Sequence, residues 1–98
     1  MGAGAVINDY GTIRAISPRG YKFTLGEVRE ITESKYVERV IINEDCEMWM
    51  DEDGKMRGLS VNKVATEILR AYVDKTDFVV GTVFLCSRDA VDLEGCVL

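Results

Sequence analysis

Most of the residues able to do chemistry stand in one stretch, MWMDEDGKMRGLSVNKVATEILRAY, from Met48 to Tyr72. Asp51, Glu52 and Asp53 form an acidic knot just before Gly54, a composition that invites a calcium loop. With Gly54 at the sixth place of an EF-hand, Asp51 and Asp53 fall at the third and fifth. Trp49 then falls at the first place and Ser60 at the twelfth, where that loop needs an Asp and a bidentate Glu. The knot therefore reads as a tight turn, and no metal is assigned. A looser divalent site on Asp51 and Asp53, working with Glu52 in a metal-dependent hydrolase, ranks third among the functional expectations.

Lys55 and Arg57 follow the knot, in a loop that leads to a helix start. Two cations there supply anion affinity or simply neutralise the neighbouring carboxylates. Asn62, Thr66 and Arg70 then recur at i, i+4 and i+8, which places them in one polar stripe along a helix. An amide, a hydroxyl and a guanidinium in line suit a phosphate, a carboxylate or a nucleobase edge. The plainer alternative is a solvated face with Asn62 as the helix cap. Lys55, Arg57, Asn62, Thr66 and Arg70 are the expected ligand-binding residues.

No catalytic residue or cofactor is assigned. The chain has no histidine, which excludes Ser-His-Asp and Cys-His nucleophile systems and any His-ligated zinc. Cys46, Cys86 and Cys96 are odd in number and share no CxxC spacing, so they read as reduced structural thiols of a cytoplasmic protein. A net charge of −5 with both signs interspersed opposes a nucleic-acid partner, which would gather a basic face. The longest apolar run, Phe78 to Cys86, is too short for a membrane span of about 20 residues. MGAGAV has Val6 where a myristoylation signal needs Ser or Thr, and CVL places Cys96 one position late for prenylation.

The elements that must position these residues follow from periodicity. Ninety-eight residues make one domain. AVIN and TIRAIS read as two short strands around Gly11, and SPRGYKF as a loop. TLGE is a capping box that opens a helix at Thr24, with Leu25, Val28 and Ile31 on its apolar face and an end near Ser34. YVERVII and CEMWM form a hairpin. Alternation sends Trp49 to the face opposite Met48 and Met50, so one side should be core and the other an exposed apolar patch. Val61, Val64, Ala65, Ile68, Leu69 and Tyr72 mark an amphipathic helix, and DFVVGTVFLC a central strand buried on both faces. The expected fold is α+β, a small mostly antiparallel sheet with two helices packed on one face.

DEDGKMRGLSVNKVATEILRAY followed by DFVVGTVFLC resembles the small domains grouped as domain of unknown function 3846, found in phages, plasmids and bacterial mobile elements. The most specific part is DGK..GL.VN..AT, here Asp53, Gly54, Lys55, Gly58, Leu59, Val61, Asn62, Ala65 and Thr66. The upstream YGTIRAISPRGYKFTLGEVREI extends the similarity over nearly the whole chain. Ser34-Lys35 stands where that family commonly has Gly-Gly. The resemblance implies a mobile-element context and a role for Asn62 and Thr66 beyond capping.

Together these features point to a non-enzymatic phage accessory protein in the host cytoplasm. The expected form is a homo-oligomer that sequesters a small anionic, nucleotide-type ligand of host defence. The alternative is a protein-protein interaction module that inhibits or adapts a host protein through the Met/Trp strand and the acidic loops.

Overall fold

The computed structural model of the chain describes residues 4–93. Its elements in order are β1 Gly4–Ile7, β2 Ile13–Ile16, α1 Leu25–Thr32, β3 Val37–Ile41, β4 Cys46–Asp51, α2 Lys63–Tyr72 and β5 Val83–Ser87. Local chemistry sets their limits. Thr24 Oγ1 accepts from the Glu27 amide at 3.0 Å and Glu27 Oε1 accepts from the Thr24 amide at 2.9 Å, a complete capping box. α1 stops at Glu33, whose φ of 56° turns the chain left-handed. In the β3–β4 hairpin, Asn43 Oδ1 accepts from the amides of Asp45 and Cys46 and fixes the turn.

The five strands lie in the order β2-β1-β5-β4-β3, and every neighbouring pair is antiparallel. The α+β class is as the sequence implies, but the two helices do not share a face. On one face Met48 and Val83 pack with Ala65 and Leu69 of α2. On the other, Trp49, Phe84 and Cys86 pack with Phe23 and with Val28 of α1. The cause is strand composition. β4 and β5 carry large apolar side chains in both phases of the two-residue repeat, so each face needs its own cover. The exposed apolar patch expected beside the Met/Trp strand is absent for the same reason: Met48 is under α2, and Trp49 is under α1 and its flanking loops.

Two glycines make this packing sterically feasible. A Cβ at Gly4 would stand 2.5 Å from the Phe84 ring, which itself meets Phe23 edge-on at 4.6 Å between centroids. Part of the MGAG opening therefore has a structural use, although residues 1–3 lie outside the described range. Gly81 has φ 74° and lies where a Cβ would come within 2.8 Å of Leu59. That turn interrupts the apolar run, so β5 begins only at Val83, and Val80 instead bridges Val61. Beyond β5 the chain joins the fold through Val91, which bridges Phe23 in parallel; residues 94–98, with Cys96, lie outside the described range.

Candidate functional site

The polar stripe of α2 is largely internal. Asn62 is fully buried. Its Oδ1 accepts from the Ala65 amide at 3.0 Å, and its Nδ2 donates to the carbonyls of Ile7 at 2.9 Å and Gly81 at 2.8 Å. One side chain thus caps α2 and ties it to β1 and to the turn before β5. Thr66 Oγ1 accepts from the Val79 amide at 2.9 Å and reaches the Val79 carbonyl at 3.3 Å. Both residues do more than solvate a face, and what they do is hold the helix against the neighbouring chain.

The cations are held less tightly. Lys55 Nζ lies 2.7 Å from Asp77 Oδ1 and 4.2 Å from the centre of the Phe78 ring. Arg70 Nε donates to the Asp77 carbonyl at 2.8 Å, and among the described residues its terminal nitrogens make no further hydrogen bond or ion pair. Asp77 is held below the usual carboxylate range by its hydrogen bond from Lys55, then by the Phe78 amide, against the opposing effect of burial. Phe78 is 40 % exposed and borders an open depression of about 420 Å³ with Val61, Lys63, Thr66, Glu67 and Arg70. On its other side runs a narrower cleft of about 140 Å³, where Val40, Met50, Leu69 and Val79 are overlooked by Lys55 and Asp77.

The five expected binding residues therefore separate. Lys55, Thr66 and Arg70 gather around Phe78, while Asn62 is interior. Arg57 pairs with Asp51 and borders a different recess, with Asp9, Thr32 and Ser60. The acidic knot is the turn that its failed calcium spacing implies. One Asp51 oxygen accepts from the Asp53 amide and the other pairs with Arg57. Among the described residues no three His, Cys, Asp or Glu side chains gather as a metal site. Asp77 and Phe78 were missed as site residues because Asp77 stands alone just ahead of the apolar run and Phe78, its first member, reads as part of a buried strand.

A second group also escaped sequence reasoning. Glu47, on β4, has 1 % of its side chain exposed. Its Oε2 accepts from Trp49 Nε1 at 2.9 Å. Among the described residues its Oε1 has no hydrogen-bond partner, although Arg39 Nη1 and Arg88 Nε each come within 3.8 Å of it. Arg39 also lies 5.9 Å from the Trp49 ring centre. The Cys86 thiol, 3.9 Å from Oε2, is pushed up to about 12 by burial and by the adjoining carboxylate. Burial and the acidic neighbours Asp45 and Glu47 also raise Cys46. Neither thiol is set up as a nucleophile, since both are held protonated at neutral pH. The signal in the sequence was the phase of CEMWM, which puts Glu47 on the same face as Trp49.

The architecture defines a small α+β domain whose central strands are covered on both sides. The family model for a domain of unknown function, DUF3846, matches residues 12–95, and the chain belongs to that family. No significant match was found among curated proteins or among solved structures. Among the described residues no helix is long and apolar enough to cross a membrane.

Proposed function

We propose that the protein is a non-enzymatic binding module of a phage or other mobile element, acting in the host cytoplasm by sequestering a small anionic ligand that carries an aromatic ring. A nucleotide signal of host defence fits that chemistry. The observation that carries the reading is the placement of Lys55 and Arg70 on either side of Asp77, next to the exposed Phe78 ring. A base stacking on such a ring gains about 1–3 kcal/mol. The spare donors of Lys55 and the free guanidinium end of Arg70 then meet the phosphate, with Lys63 at the same rim. Homo-oligomer formation would multiply the number of such sites in one particle.

Thermal-shift measurements with mono-, di- and cyclic nucleotides test this reading. The expected result is a concentration-dependent rise in Tm with at least one of them, lost in the Lys55→Ala/Arg70→Ala double variant. No rise with any nucleotide, for protein that remains folded, would sink the proposal. The alternative, inhibition of a host protein, has lost the Met/Trp surface that favoured it, because both side chains are interior.

A further inference from the structure

We infer that Glu47, Arg39 and Arg88, on the α1 face of the sheet, form a site for inorganic hydrogen phosphate, independent of the Phe78 surface. The inference starts from an unmet requirement. A buried carboxylate oxygen without a donor is costly, and Glu47 Oε1 is such an oxygen. The two nearby guanidinium nitrogens give it charge but, at 3.8 Å, no hydrogen bond. The group that completes this arrangement needs one donor for Oε1 and several acceptors for the two guanidinium forks. A phosphate bearing one P–OH has both, donating to Glu47 while its remaining oxygens accept from Arg39 and Arg88.

Access is consistent with this. The two arginine side chains that approach Oε1 are 39 % and 44 % exposed, whereas Glu47 is interior. Among the described residues Arg88 otherwise makes a 3.4 Å hydrogen bond to the Asn43 carbonyl, and Arg39 a contact with the Trp49 ring. Both arginine side chains can reorient toward an incoming anion, a picosecond-to-nanosecond event for exposed residues. Two cations against one carboxylate leave the site with one unit of positive charge for the incoming anion. The same geometry implies selectivity. Sulfate presents the same oxygens at neutral pH but no proton, so it meets a buried carboxylate with a second bare acceptor.

Trp49 is the single tryptophan of the chain and donates to Glu47 itself, so its fluorescence reports the site directly. The experiment is a titration of the full chain at pH 7.5 and low ionic strength with inorganic phosphate, sulfate and a nucleoside monophosphate. Phosphate should give a saturable change, with sulfate at least tenfold weaker. The monophosphate should also be weak at this pH, because a phosphate ester loses its last proton near pH 6, and should strengthen below pH 6. Arg39→Gln and Arg88→Gln should each weaken phosphate tenfold or more. Glu47→Gln, whose amide can donate, should abolish the preference over sulfate. Equal responses to phosphate and sulfate in the unmodified protein, or no saturable response to phosphate, would overturn the inference. That comparison decides the matter even if the Glu47 variant does not fold.

Discussion

The two faces of the sheet use their polar residues in opposite ways. Under α2, the buried amide and hydroxyl, Asn62 and Thr66, have found protein partners, and the side chains serve as struts. Under α1, a buried carboxylate keeps one oxygen without a donor between two half-exposed arginines. A satisfied buried group is a sign of architecture, and an unsatisfied one marks a place where something else is required. The residues most conspicuous in the sequence thus belong mainly to the first kind.

Substitutions that remove struts should cost most. Asn62→Ala loses the α2 cap and leaves the Ile7 and Gly81 carbonyls short of a donor, a loss of about 2–4 kcal/mol visible as a lower urea midpoint. If the variant is as stable as the parent, the strut reading of the α2 face fails. On the opposite face, Gly4→Ala drives a methyl group into the Phe84 ring and should cost about 1–3 kcal/mol by overpacking, measured in the same way. Lys55→Ala removes a half-exposed ion pair and a cation–ring contact at the surface and should change stability by less than about 1 kcal/mol. Its effect should appear in ligand binding at the Phe78 surface instead.

Acid sharpens the comparison further. Burial tends to raise Glu27, but the amides of Thr24 and Arg19, the Arg19 charge and the Thr24 hydroxyl outweigh it and hold its carboxyl low. Asp77 is held low mainly by Lys55. Both folded values lie below the unfolded ones, so their stabilisation is fully present above about pH 4–4.5 and fades as pH falls through the folded values. Urea midpoints should therefore decline below about pH 4. Glu27→Gln should flatten that decline more than Asp77→Asn, because Asp77 is exposed to screening solvent. Equal flattening would show that exposure does not separate the two.

Local rules made the helices and the hairpin legible, since the Thr24–Glu27 capping box, the Asn62 cap and the alternation of Met48 and Trp49 each act within a few residues. The covering of both faces was also implicit in the apolar character of β5, yet a count of helices does not say which side each takes. The site was less legible because periodicity reports where a side chain points and not what meets it there. Asn62, Thr66 and Arg70 do share a stripe, but the 77–81 segment returns across it and bonds to all three. Glu47 looked like an ordinary strand glutamate until β3 and the residues after β5 brought Arg39 and Arg88 to it.

The strand order carries a consequence for how the chain acquires its shape. β5 is the last of the five strands in sequence and the central one in space, pairing with β1 on one side and β4 on the other. Before Val83–Ser87 is synthesised, the β1–β2 and β3–β4 hairpins have no strand between them, and Met48 and Trp49 lack their β5 partners Leu85 and Phe84. Such non-local closure is slow compared with hairpin formation. Any truncation ahead of Val83 should therefore leave a chain that aggregates instead of folding.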